Sequence, residues 1–136
     1  MKINCYMNFD GNCAEALMFY GRVFEVSPTI MTFGDMPENP DFPLNEEMKK
    51  LVAHGRLDIE GNELMFSDVV PGMSFIRGNN ISVSVTINDK EKVTEWFEGL
   101  SEGGLIEMPL EQTMWSPLYG SLIDQFGIGW QVNYGE

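Results

Sequence analysis

The feature that most constrains this chain is an order of elements that runs once and then starts again. Residues 3–9 are mainly apolar and end at Asp10-Gly11, after which Cys13, Leu17, Tyr20 and Phe24 recur at helical spacing. Asn12 stands at the N-cap position with Glu15 three residues on, which predicts a reciprocal capping box. Residues 26–33, rich in β-branched and apolar types, predict a strand. Residues 34–44 carry Pro37, Pro40 and Pro43, a density that excludes helix interior and ladder pairing. Residues 45–50 add at most one helical turn. Strands are then expected at 51–59 and 62–68, joined by Glu60-Gly61.

Residues 69–79, with Pro71, Gly72 and Gly78, predict a linker, and the order then restarts. In the strand over 80–87, Ile81, Val83 and Val85 point one way and Asn80, Ser82 and Ser84 the other. Asn88 with Glu91 predicts a second capping box. Val93, Trp96, Phe97 and Leu100 give a second buried stripe, which Gly103-Gly104 ends. Strands follow at 105–110, 116–124 and 129–134. The chain thus reads βαβββ twice, an α+β fold within a single domain over residues 1–136. Module one covers about 1–68, the linker about 69–79 and module two about 80–136. A period this long in two copies is a duplicated module, not a solenoid. Two such sheets are expected to curl into a half-open, barrel-like cleft.

Charge narrows the partners. Eight Lys and Arg face 21 Asp and Glu, a formal net charge of −13, which disfavours a nucleic-acid partner, since such binding runs on counterion release by Lys and Arg. A polar or cationic small molecule is the expected partner. No apolar run reaches the ~18 residues of a membrane helix, and the first residues lack a basic-then-apolar leader pattern, so a cytoplasmic location is expected. Two cysteines, Cys5 and Cys13, form no CxxC and read as thiols, not as a disulfide framework.

Several segments resemble one family. Phe9-Asp10-Gly11-Asn12-Cys13-Ala14-Glu15-Ala16-Leu17 with Phe19-Tyr20, His54-Gly55-Arg56-Leu57, Leu64-Met65-Phe66-Ser67-Asp68, Trp115, and Asp124-Gln125-Phe126-Gly127-Ile128-Gly129-Trp130 are similar to PhnB-like proteins. These are a branch of the glyoxalase/bleomycin-resistance/extradiol dioxygenase (vicinal oxygen chelate) superfamily. The resemblance implies paired βαβββ modules around a cleft. In enzymatic relatives four cleft side chains, usually His, Gln or Glu, hold a divalent metal. Those positions fall on Cys5, on residues 66–68, on Asn80 and on Gln131. Neutral amides are poor transition-metal ligands without charged companions, so no metal cofactor is expected. A bound Zn, Ni, Mn or Fe serving a metal-dependent lyase or dioxygenase is the alternative. Resistance-type relatives also imply a homodimer.

If Gln131 faces the cleft, Gly129 and Asn133 do too, opposite Asn80, Ser82 and Ser84, which gives an amide- and hydroxyl-rich floor. His54, the one histidine, is a candidate ligand contact or general base, with a structural role as the alternative. Asp68 reads either as a turn or cap residue or as a carboxylate at the cleft mouth. Trp115 and Tyr119 either stack on a planar ligand or pack. Asp124 is expected to be structural. Glu107 and Glu111 share a strand face about 13 Å apart, too far for an acid–base pair. Gly127-Ile128-Gly129 does not complete a dinucleotide fingerprint, which argues against nucleotide-dependent methyl transfer.

Overall fold

A computed structural model describes all 136 residues. The chain divides into two compact units, residues 1–76 and 77–136, the division falling inside the segment rich in Pro and Gly. Each unit holds a four-stranded mixed sheet with one long helix against it, an α+β build.

In the first unit the strands are β1 (Cys5–Phe9), β2 (Thr29–Thr32), β3 (Val52–Ile59) and β4 (Asn62–Asp68), in the order β1-β4-β3-β2. β1 runs parallel to β4, while β3 is antiparallel to both neighbours. Helix α1 (Cys13–Phe24) buries Cys13, Leu17, Tyr20 and Phe24, the stripe its spacing predicts. Tyr20 meets Phe66 at a ring separation of 5.8 Å, and Phe66 meets Phe9 at 6.2 Å. Leu17 lies so near β3 that a Cβ on Gly55 would sit 2.4 Å from its Cδ1, so only glycine fits there without displacement. Glu60 and Gly61 both have positive φ, the conformation of the tight hairpin turn joining β3 to β4.

β2 is shorter than the expected 26–33, because Pro28 has no N–H to donate and Phe33–Asp35 turn into a 3₁₀ helix. Helix α2 (Glu46–Lys49) is one turn, capped by Asn45 Oδ1 on the Met48 N–H at 2.8 Å. The cap expected at Asn12 is not made by its side chain. Asp68 supplies it from across the sheet.

The second unit orders its strands β5-β8-β7-β6: β5 (Ser82–Ile87), β6 (Leu105–Glu111), β7 (Tyr119–Ile123) and β8 (Gly129–Tyr134). Helix α3 (Lys90–Ser101) buries Val93, Trp96, Phe97 and Leu100 as predicted. Its N-cap is Asp89, whose Oδ1 accepts from Lys92 N–H at 3.2 Å, one residue later than expected. β7 starts at Tyr119 and not at 116, because residues 113–118 close on themselves through Thr113 and Ser116. Pro109 is accommodated because β6 is an edge strand. No helix is long and apolar enough to cross a membrane.

Candidate functional site

Each sheet has one face sealed by its helix, and strand alternation assigns the other. In the first unit Met7, Phe9, Gly55, Leu57 and Phe66 are buried on the α1 side. The residues between them face away. Tyr6 pairs across β4 with Met65, and Met65 with Arg56; Asn8 pairs with Ser67. His54 precedes Arg56 by two and shares that open face. Tyr6 Oη lies 3.4 Å from His54 Nδ1, with the rings 6.0 Å apart and tilted.

The second sheet repeats the division. Trp130, Val132, Leu122 and Gly120 are buried on the α3 side, where a Cβ on Gly120 would meet Phe97 at 2.6 Å. The open face carries rows of Cα partners: Ser82 with Gly129 and Ile123, Ser84 with Gln131 and Ser121, Thr86 with Asn133 and Tyr119. Gln131 Nε2 donates to Ser82 Oγ at 3.0 Å. Asn133 Oδ1 hydrogen bonds the buried Ser116 hydroxyl, which also accepts from the Leu118 N–H at 3.2 Å. This face bears neutral donors and acceptors, with Glu111 the acid paired to its edge at Tyr119.

Beside it stands a small, tightly bonded loop. Thr113 Oγ1 accepts from the Trp115 and Ser116 N–H groups at 3.3 and 3.1 Å, and Thr113 N–H donates to the Ser116 carbonyl. The loop holds Trp115 66% exposed, its ring edge-on to Tyr119 at 5.4 Å. An indole in edge contact with Tyr119 and left mostly in water is available to stack on a planar ligand.

Other candidates lie elsewhere. Asp68 is buried, and its Oδ1 accepts from Gly11 and Cys13 N–H at 2.9 and 3.0 Å while Oδ2 accepts from Val52 N–H at 2.9 Å. It ties the starts of α1 and β3 to the end of β4, as a cap residue does. Asp124, also buried, accepts from Phe126 and Ile128 N–H and from Trp130 Nε1, the last at 2.8 Å. Cys5 shares the helix side with Met7 and Phe9, and burial pushes its thiol up. Burial, with a contribution from the Asp68 charge, pushes the Cys13 thiol up further. Asn80 is exposed and precedes β5, which begins at Ser82. Because Gln131 pairs with Ser84, Asn80 stands about four residues, or ~13 Å, along the strand from it.

These positions do not fit a divalent metal. Asp68 already holds three backbone N–H groups, Cys5 lies on the helix side of its sheet, and Asn80 and Gln131 are separated neutral amides. No three His, Cys, Asp or Glu side chains gather into a donor set.

Sequence reading missed Tyr6, Arg56 and Ser121. The signal was parity: Tyr6 and Asn8 alternate with Met7 and Phe9, and Arg56 is two residues from His54.

Each unit sets a four-stranded mixed sheet against one long helix, an α+β fold that a glyoxalase-related protein of known structure shares. The family described as 3-demethylubiquinone-9 3-methyltransferase matches residues 1–133, and the chain belongs to this PhnB-like family. The chain is 29% identical to Escherichia coli protein YjdN over 98% of its own length and 95% of the relative's. The crystal structure of Pseudomonas aeruginosa protein PA1353 matches with a TM-score of 0.86 at 32% identity, covering 98% of this chain and 97% of that one. A PhnB protein from Bacillus cereus matches with a TM-score of 0.73 at 26% identity over 99% and 100% of the two chains. A glyoxalase-related enzyme from Fulvimarina pelagi, at 16% identity, TM-score 0.63 and coverage of 99% and 89%, shares the fold.

Proposed function

We propose that this protein binds a small polar molecule on the open faces of its sheets, without a resident metal. The observation that carries this is the second sheet's open face, where Ser82, Ser84, Ser121, Gln131 and Asn133 offer hydrogen bonds and Trp115 stands edge-on to Tyr119. A planar molecule with amide or hydroxyl groups suits such a surface, the ring stacking on indole while its edge bonds the amides. The net charge of −13 attracts cations at long range, but the contact groups here are mainly neutral, so polarity governs the fit.

Methyl transfer, in the family's description, is not part of this reading. Gly127 and Gly129 lead into β8, not into a helix, and β1 pairs in parallel with β4, so β1-α1-β2 is not a nucleotide-binding βαβ unit. A second reading, acid–base catalysis at His54, draws support from its contact with Tyr6. It expects a pH–rate profile that changes in His54→Ala.

The test maps amide shifts by NMR during titration with uncharged planar amides and nucleobases. Shifts at Ser84, Ser121 and Gln131 that vanish in Gln131→Ala and weaken in Trp115→Ala are expected. Shifts confined to the helix-covered sides would overturn the proposal. Elemental analysis after incubation with Zn²⁺, Ni²⁺, Mn²⁺ and Fe²⁺ and desalting should find near-zero metal. About one ion per chain would restore the metal-dependent lyase or dioxygenase.

A further inference from the structure

We infer that the open face of the first sheet takes an oxyanion, with Arg56 as its charged anchor and His54 and Tyr6 as flanking donors. The inference rests on the proposed reading of the open faces and specifies a ligand class for it.

Arg56 is the one Lys or Arg within any of the eight strands. It stands on the side away from α1, is exposed, and its side chain makes no ion pair or hydrogen bond within the chain. The acids nearest in register are Asp58 and Glu63, one pleat further along the same face, and neither pairs with it. Asp58 Oδ1 instead accepts the Gly61 N–H at 2.8 Å. In a chain with 21 acids, an open-face guanidinium that none of them engages keeps its planar pair of donors free for a carboxylate or phosphate.

The neighbours supply the rest. His54 lies two residues before Arg56, roughly 7 Å along the strand on the same face. Tyr6 lies across β4 in the row of Arg56, about 10 Å away between Cα atoms, with Met65 between them. A guanidinium on its long stem, a phenol and an imidazole 3.4 Å from that phenol can therefore converge above Met65. Asn8 and Ser67, paired in the adjoining row, add neutral donors. Met65 offers an apolar floor for the rest of an organic anion.

Benzoate, inorganic phosphate and, as the uncharged counterpart, benzamide are titrated against the isotopically labelled full chain at constant ionic strength. Benzoate or phosphate is expected to shift the Tyr6, His54, Arg56 and Met65 signals saturably, with benzamide at least tenfold weaker there. Arg56→Gln should weaken the anion at least tenfold while leaving spectral dispersion intact, and Arg56→Lys should restore part of the loss. Which anion binds more tightly identifies the group. Anion binding unchanged in Arg56→Gln, or shifts elsewhere only, overturns the inference. If neither anion moves the first sheet while uncharged amides shift Gln131 and Ser121, the oxyanion assignment falls and the broader reading stands. If neither class binds, both fall.

Discussion

Asp68→Asn tests the physical account of the first unit. The carboxylate is buried and receives three backbone N–H groups, from Gly11, Cys13 and Val52, at 2.9 to 3.0 Å. An asparagine keeps one oxygen, which can still serve Gly11 and Cys13. Its NH₂ then faces the Val52 N–H, donor against donor. Leaving that buried donor unsatisfied costs about 1–3 kcal/mol, and converting two charge-assisted bonds to neutral ones costs about 1 kcal/mol each. The total, on the order of 3–5 kcal/mol, is a large share of the ~5–15 kcal/mol that stabilises a typical domain. In urea, with a slope of ~1–3 kcal/mol/M, the midpoint should fall by at least about 1 M. Amide exchange should accelerate first at Gly11, Cys13 and Val52. Asp58→Asn, which touches one exposed turn N–H, is the control and should move the midpoint little. A midpoint within about 0.3 M of the parent at unchanged slope would refute the claim that Asp68 organises this unit.

Gly55→Ala should destabilise by about 1–3 kcal/mol, read as a lowered melting temperature, since its Cβ would enter Leu17 at 2.4 Å. In thiol labelling near pH 8, Cys13 should react only through unfolding, because burial and the Asp68 charge raise its thiol; fast labelling would contradict that. Because both thiols are raised in the folded chain, their contribution to stability is complete below the ordinary cysteine range. It should decline as pH rises above that range, as denaturation at pH 8 and 10 would show. Asp35 is held below the usual carboxylate range, first by the Thr32 backbone N–H at 2.9 Å. Its contribution is therefore present above that range and lost as pH falls through the depressed value; the Thr32 amide shift should follow this, and Asp35→Asn should abolish the step. Light scattering should give twice the chain mass if the homodimer implied by family resemblance forms.

Helices were legible because their signal is local and redundant. Four apolar residues at helical spacing name a buried stripe, and both stripes are buried. Strand parity was legible at β5, where apolar and hydroxyl residues alternate without exception from Ser82 to Ile87. Caps were not, for two different reasons. Asn88 and Asp89 are both good cap residues, and spacing alone does not choose between them. Asp68 caps a helix that begins 55 positions earlier, and no window of sequence contains that contact.

The same distinction explains the candidate sites. Resemblance assigns a residue by type, and type does not say which face a side chain takes. Cys5 is a good metal ligand by chemistry and lies on the helix side; Asn80 falls before its strand begins. Tyr6 and Arg56 are each ordinary alone. They become a pair only through two registers, Tyr6 against Met65 and Met65 against Arg56, each bridging more than a turn of chain. A one-residue slip in the first would send Tyr6 to the α1 side, and one in the second would send Arg56 there, where a charge could not be buried unpaired. The hydrophobic alternation that seals one face of the sheet is thus also what places Arg56, His54 and Tyr6 together on the other.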